Sequence, residues 1–167
     1  KVFDDGSIVL AKPYLSRLKG VEDLVPAYND HKKKGRIDIA RQPTARELDD
    51  MLFAWYVNIH VRSNGVVIAK NGQTLAVGTG EQDRVGAVQQ AIIKAKTKYK
   101  GDETLEGAVM ASDGFFPFRD AVDSATNEGV RAIVQPGGSM NDFDTIVACN
   151  DVDATMVFTL ERCFSHH

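Results

Sequence analysis

The sequence is short of cysteine and has no surplus of positive charge, and both shortages narrow what it can do. Its two cysteines, Cys149 and Cys163, are too few for a disulfide framework and lack zinc-ligand spacing, which favours a reducing cytoplasm. Neither His-x-Glu nor Pro-Cys-x-x-Cys occurs, which argues against a zinc deaminase and leaves no metal site to assign. With 20 basic against 23 acidic residues, a net charge of -3, the chain has no cationic excess to displace counterions from nucleic acid. No apolar run approaches the roughly 18 residues of a membrane span and no signal peptide is visible, so neither nucleic acid nor membrane is expected as a partner. Internal repeats and low-complexity tracts are absent too. The chain opens at Lys1 rather than at methionine, which reads as a piece of a longer polypeptide or a processed product.

What is present suits one soluble domain. A length of 167 residues buries roughly 70% of the unfolded surface, and 43% hydrophobic with 26% charged residues is an ordinary globular balance. Residues 1–43 are the less regular part: Ile8-Val9-Leu10 reads as a short strand, Val21 to Tyr28 as a short helix, and His31-Lys32-Lys33-Lys34-Gly35 as a solvated turn. From Thr44 the pattern sharpens. Thr44-Ala45-Arg46-Glu47 is a capping box, and Leu48, Met51, Leu52, Trp55 and Ile59 continue at helical spacing to about Val61. Val66–Ala69 and Leu75–Val77 flank Asn71-Gly72, a strong hairpin signal because both residues tolerate positive φ.

A helix is predicted from about Asp83 to Tyr99. Strands and helices then alternate: strand Ala108–Ala111, helix Arg119–Glu128, strand Ala132–Val134, helix Asp142–Cys149, strand Thr155–Phe158. Such alternation implies parallel strands with right-handed crossovers, and with the hairpin in front it implies a mixed sheet between helices. Gly78–Arg84, Ser112–Asp120, Pro136–Ser139 and Arg162–His166 each follow a strand end, so all four are expected to converge at one edge of the sheet.

Two clusters carry the chemistry. Ser112-Asp113-Gly114-Phe115-Phe116-Pro117-Phe118-Arg119-Asp120 sets three rings around a proline, and Arg162-Cys163-Phe164-Ser165-His166-His167 places functional groups where most chains fray. At least one of the three rings is expected to pack beneath the sheet edge, while another is free to stack on a planar heterocycle. Asp120 can accept a hydrogen bond from such a ring, or pair with Arg119 at a helix start. Gly78 to Arg84 reads either as a plain helix cap or as a phosphate cradle with Arg84 as a donor. Asn64 reads first as a helix C-cap in a left-handed conformation. His31 and His60 have no partners in sequence, and the terminal histidines are open to reading as a tag remnant.

Taken together, these segments resemble the C-terminal part of AICAR transformylase, an enzyme of purine biosynthesis usually fused to IMP cyclohydrolase. The matching residues are Arg41-Gln42-Pro43-Thr44, Leu52-Phe53-Ala54-Trp55, Arg62-Ser63-Asn64, Ala69-Lys70-Asn71-Gly72, Val77 to Arg84, Ser112 to Asp120, Gln135-Pro136-Gly137-Gly138-Ser139 and the ending from Arg162 to His166. The resemblance runs from about residue 36 to the end, and it makes the tail native.

The resemblance implies an α/β fold, a mixed sheet in a three-layer α/β/α sandwich, in a cytidine-deaminase-like lobe without catalytic zinc. Residues 1–43 would be a segment joining a lobe of residues 44–167, the second of two transformylase lobes. It implies formyl transfer from 10-formyltetrahydrofolate to the 5-amino group of AICAR. Asn64, Arg84, Phe115 and Arg162 would be nucleotide-site residues, with Phe115 stacking on the imidazole and Asn64 orienting it. Pro117, Phe118 and Asp120 would face the folate, and His166 would line the pocket in a supporting role. A monovalent cation such as potassium near the tail, and a homodimer or a first-lobe partner chain, are also implied. Two departures stand out. The family's Lys-His pair belongs to the first lobe and is missing here, with His31-Lys32 reversed and misplaced. Ala121 follows Asp120, which removes a side-chain hydrogen bond at that folate-side position. Without the Lys-His pair, the chain is expected to be inactive alone, or to act as a purine-ribonucleotide-binding or dimerisation lobe.

Overall fold

The computed structural model describes residues 2–10 and 14–164. Its elements in chain order are β1 (Val25–Pro26), β2 (Tyr28–His31), β3 (Gly35–Asp38), α1 (Ala45–Asn58), β4 (Val66–Lys70), β5 (Gln73–Gly78) and α2 (Arg84–Thr97). There follow β6 (Val109–Ser112), α3 (Asp120–Thr126), β7 (Ala132–Gln135), α4 (Asp142–Asn150) and β8 (Thr155–Phe158). Six strands form one mixed sheet in the order β1-β8-β7-β6-β4-β5, while β2 and β3 pair separately. The α/β sandwich with a mixed sheet is therefore realised.

Alternation along each strand decides which residues meet which helix. Val67, Ala69, Val109, Ala111, Ala132, Val134 and Val157 pack with Met51, Ala54 and Trp55 of α1. Their neighbours Val66, Ile68, Met110, Ile133, Met156 and Phe158 pack with residues of α2, α3 and α4. Because both faces are covered, the parallel strands β6 to β8 are buried along their whole length and are mostly apolar, with Ser112, Gln135 and Thr155 as the polar exceptions.

The capping box ahead of α1 closes as the sequence predicts. The Thr44 hydroxyl accepts from the Glu47 amide (3.2 Å), and the Glu47 carboxylate accepts from the Thr44 amide (2.8 Å). At the hairpin, Asn71 and Gly72 take φ of 55° and 70°, and the enclosed Asp50 carboxylate of α1 accepts both of their amides, at 2.8 and 2.7 Å. One helix thus fixes the hairpin's position as well as its own start.

Strand direction places the site. β4 runs antiparallel to both β5 and β6, and β6, β7 and β8 are parallel. Hence β5 to β8 all point the same way. Val66 pairs with both Gly78 and Ser112, so the entry to β4 lies between the exits of β5 and β6.

The N-terminal part departs from expectation in two places. Ile8-Val9-Leu10 is not a strand; Ile8 makes only an isolated bridge to Val2. Val21 to Tyr28 is not a helix but a short 3-10 turn, Val21–Asp23, followed by β1 antiparallel to β8. Pro26 explains the difference: it has no amide for a helix ladder but is tolerated on an edge strand. The expected basic turn is found between β2 and β3, where His31 Nδ1 accepts the amides of Lys33 (3.1 Å) and Lys34 (3.0 Å).

Residues Ser16 and Arg17 clamp the C-terminal tail. Glu161 accepts from the Ser16 hydroxyl and from the Arg17 amide at 3.0 Å. Burial opposes ionisation of Glu161, but hydrogen bonds from Ser16, the Arg17 amide and Tyr14 outweigh it and hold the carboxyl below its usual range. A depressed carboxylate stabilises the fold above its unfolded pKa, and that contribution disappears as pH falls through the folded value. Glu161→Gln is therefore expected to lower the urea midpoint at neutral pH, and the gap to the parent should close on acidification below the normal carboxylate range. A gap independent of pH would remove the assignment. A second prediction concerns Gly78, where an added Cβ would lie 1.9 Å from the Ala87 carbonyl oxygen of α2. Backbone against backbone cannot yield cheaply, so Gly78→Ala should cost about 2 kcal/mol or more in denaturant unfolding.

Candidate functional site

At the edge where β5 to β8 end, a cavity of about 460 Å³ is lined by Asn64, Gln82, Asp83, Arg84, Gly114, Phe115, Pro117, Arg162 and Phe164. Three strand-end segments and the entry to β4 supply these residues. The volume falls within the range of small-molecule pockets. The structure thus brings together Asn64, Arg84, Phe115, Pro117 and Arg162.

The aromatic loop and the tail face one another directly. The Arg162 guanidinium lies over the Phe115 ring, 4.6 Å from its centroid. Arg162 is exposed, and among the described residues no carboxylate pairs with it. Phe116 is fully buried beneath the sheet edge, so the three rings divide as the sequence suggests: Phe116 supports, Phe115 lines the cavity, and Phe118 is 63% exposed. The alternation of the tail follows from its extended course. Cys163 is buried among the α1-side core residues, and its neighbours Arg162 and Phe164 both line the cavity.

Beneath this cavity lies a buried polar network centred on Asp113, which is fully enclosed. One carboxylate oxygen accepts from Arg84 Nη1, and the other accepts from the Ser63 hydroxyl and from the Gly65 amide at 2.9 Å. Arg84 Nη1 also donates to the Gly65 carbonyl (3.1 Å). The main chain of Asp113 joins in as well: its amide donates to Gly65 (3.2 Å), and its carbonyl accepts from Cys163 (3.3 Å). Gly65 is crowded by this network, since an added Cβ would meet Asn58 Oδ1 at 2.8 Å and Asp113 Oδ2 at 3.0 Å.

Asn64 follows a cis peptide from Ser63 and does not take a left-handed conformation. The C-cap reading fails because α1 has already ended at Asn58. Instead Asn64 Nδ2 donates to the Glu81 carbonyl (2.8 Å), which leaves its side-chain oxygen as an acceptor on a cavity-lining residue.

The Gly78-to-Arg84 turn forms a helix cap, with several of its amides tied into the protein. Asp83 accepts the Gly86 amide (2.7 Å), Gln90 accepts the Thr79 amide (2.9 Å), and the Gly80 amide donates to the Arg62 carbonyl (3.1 Å). These donors are committed within the protein. Arg84 is likewise committed through Nη1, yet its Nη2 lies against Gly114, where an added Cβ would be 2.6 Å away. Arg84 thus meets the cavity as an oriented donor whose charge is balanced by Asp113.

Other expected residues lie outside the cavity. Phe118 and Asp120 are exposed and do not line it, and one Asp120 carboxylate oxygen accepts the Ala121 amide at the start of α3 (2.8 Å). Arg119 pairs not with Asp120 but with Asp123 (2.8 Å) and Asp151 (3.1 Å), since the i,i+4 position faces it and the neighbouring one does not. The loop after β7 does not line the cavity. Asp142 accepts the amides of Gly138 (2.7 Å) and Ser139 (2.9 Å), with burial pushing its carboxyl up, and Asn141 Nδ2 donates to the Pro117 carbonyl (2.6 Å). That loop buttresses the aromatic segment from behind. His166 lies outside the described residues. Among the described residues no group of His, Cys, Asp or Glu could hold a metal ion.

Gln82, Asp83, Gly114 and Phe164 line the cavity without having been singled out. Each lies within two positions of an expected residue, and Phe164 stands two positions from Arg162, the spacing that keeps an extended tail's side chains on one side.

Residues 17–94 match the model of the AICARFT/IMPCHase bienzyme family. The bifunctional purine biosynthesis protein PurH of Aquifex aeolicus is 50% identical over 134 residues, 80% of this chain and 26% of that protein. PurH of Oceanobacillus iheyensis is 46% identical over 147 residues (86% and 28%), and that of Prochlorococcus marinus 50% over 126 residues (75% and 23%). The chain spans about a quarter of the length of these curated relatives. With half of the aligned positions identical across most of its length, the chain belongs to the AICARFT/IMPCHase bienzyme family.

Proposed function

We propose that this chain is the second lobe of an AICAR transformylase, and that the cavity holds AICAR for formyl transfer from 10-formyltetrahydrofolate to its 5-amino group. The observation that carries this reading is the meeting of Asn64, Arg84, Phe115 and Arg162 around one cavity of about 460 Å³, room enough for a whole nucleotide. Phe115 offers a ring face to the imidazole. The Asn64 side-chain oxygen and Arg84 Nη2 offer a fixed acceptor and donor for polar groups on the base, and Arg162 offers the free positive charge for a phosphate. Pro117 is assigned the wall nearest the folate, and the exposed Phe118 and Asp120 that follow it in sequence are assigned to the same co-substrate. A lobe of residues 44–167 joined by residues 1–43, and a cytidine-deaminase-like ancestry without zinc, belong to the same reading, as does a cytoplasmic location.

The amine of AICAR is a weak nucleophile, because its lone pair is delocalised into the ring and the adjacent carboxamide. Transfer needs close alignment with the formyl carbon, a proton acceptor and stabilisation of the oxyanion. The lining residues supply alignment. They do not supply the acceptor: Asp83 is the one carboxylate among them and it caps α2, and no Lys or His is present among them. The Lys-His pair of a first lobe, in a homodimer or in a partner chain, is the group we assign to that step. A monovalent cation such as potassium near the tail belongs to the same reading, and no step of the transfer is assigned to it. The same lack of a free base favours a second reading, in which the lobe binds a purine ribonucleotide without reacting it.

Calorimetric titration is expected to show AICAR binding by the isolated chain, weakened about ten-fold by Arg162→Ala or by Phe115→Ala, in line with roughly 1–2 kcal/mol for a desolvated charge or ring contact. Absence of heat with the parent chain would remove the proposal. The isolated chain should also show negligible formyl transfer with both substrates present; robust turnover would place the acid–base centre within this lobe.

A further inference from the structure

The enclosed carboxylate of Asp113 is not itself a wall of the cavity, yet three of the segments that form the walls are tied to this residue. Its Oδ2 accepts from Ser63 and Gly65, the residues on either side of Asn64. Its Oδ1 holds Arg84. Its carbonyl oxygen anchors Cys163, which lies between Arg162 and Phe164. Three segments far apart in sequence, the entry to β4, the start of α2 and the tail, therefore share one buried residue as their common partner.

We propose that Asp113 is a positioning residue for this site: without touching ligand, it sets the mutual geometry of Asn64, Arg84 and the Arg162–Phe164 tail. The inference takes the identity of the ligand, AICAR, from the reading above, but the positioning itself stands on the network alone. Two features make the residue type exacting. Arg84 is buried, with a side chain 5% exposed, and its Nε has no partner among the described residues, so its charge depends on Asp113 for compensation. Oδ2 must accept twice on one oxygen, which a carboxylate does and an amide NH₂ cannot. Asparagine keeps the volume and the main-chain bonds but must lose either the Arg84 contact or the Ser63–Gly65 pair.

The effect should travel to the tail and stop there. Arg84 faces the tail directly: its guanidinium lies 5.8 Å from the centroid of the Phe164 ring, in the space a side chain at Gly114 would fill. A shift of Arg84 is therefore felt at Phe164 and at its neighbour Cys163. The two cysteines report on this independently. Cys163 belongs to the tail and is 2% exposed, whereas Cys149 lies in α4 on the opposite face of the sheet and is fully buried. Burial pushes both thiols up to about 12, which keeps both slow to alkylate in the parent.

The test is alkylation of the folded 167-residue chain by iodoacetamide at neutral pH, with each cysteine followed by peptide mass mapping, in the parent, Asp113→Asn and Arg84→Gln. Each variant is expected to alkylate Cys163 at least ten-fold faster than the parent, with the Cys149 rate unchanged. Parallel acceleration of both cysteines would mean general destabilisation and would overturn positioning, as would no change at either. Should Asp113→Asn fail to fold, Arg84→Gln decides, because it breaks the ion pair while leaving Asp113 its Ser63 and Gly65 contacts. Titration with AICAR is the second arm: Asp113→Asn should bind at least ten-fold more weakly than the parent, and unchanged affinity despite selective Cys163 labelling would overturn the proposal. If the parent binds no AICAR, the functional reading fails, and the labelling pattern alone decides whether Asp113 positions these walls.

Discussion

An arginine and an aspartate buried together at the end of a sheet are costly to the fold unless both are fully accommodated. Arg84 and Asp113 are both buried, and the penalty for removing two charges from water is offset only by good geometry and additional hydrogen bonds. Here the Ser63 hydroxyl, the Gly65 amide and the Gly65 carbonyl provide those bonds. A hydrophobic pair of similar volume would pack more cheaply at such a place, so the stability of the lobe is a poor explanation for it. The pair does what apolar residues cannot: it fixes the direction of a guanidinium at the wall of a cavity and joins strand ends that the sheet alone leaves independent.

Strand direction is the second constraint. If β5 ran against β6, its exit and the α2 start would lie at the far edge, away from Phe115 and the tail. Because β4 turns back between them, four strand ends point one way and the entry to β4 inserts Asn64 among them. The Asn71-Gly72 turn thus has a functional consequence at the opposite end of its own hairpin. Asp50, by holding both turn amides, ties that register to α1.

Much of this was legible in the residues. The Thr44–Glu47 box, the Asn-Gly turn and the alternation after Tyr99 are local signals whose physics does not depend on distant partners, and each element formed where it was expected within a few residues. The N-terminal part was misread where local pattern is weak: apolar spacing at Val21 to Tyr28 suggested a helix, but Pro26 and pairing with β8 settled the matter, and the β8 edge is invisible in a window of eight residues. The clusters around Phe115 and Arg162 were recognisable by their composition. The role of Arg84 was not. Sequence placed it at a glycine-bearing helix start and so suggested phosphate, whereas its partner Asp113 stands 29 positions away and is brought to it only by the β4–β6 pairing.

That pairing also separates the two arginines in kind. Arg84 is buried, neutralised and aimed, which suits it to an uncharged acceptor on a base and makes it a poor attractor of a distant phosphate. Arg162 is exposed on an extended tail, unpaired among the described residues and resting on a ring, so its charge is available to a ligand that also covers Phe115. In water an exposed guanidinium over an aromatic face contributes modestly, but a ligand that excludes solvent from both strengthens the contact. Binding at this edge should therefore order the tail against the aromatic loop, with Glu161 holding its near end to Ser16 and Arg17 and with Asp113 holding Cys163. On the reading proposed above, Asn64 and Arg84 are held by hydrogen bonds within the protein while the Arg162 charge is left to the ligand, and the proton acceptor comes from outside the cavity.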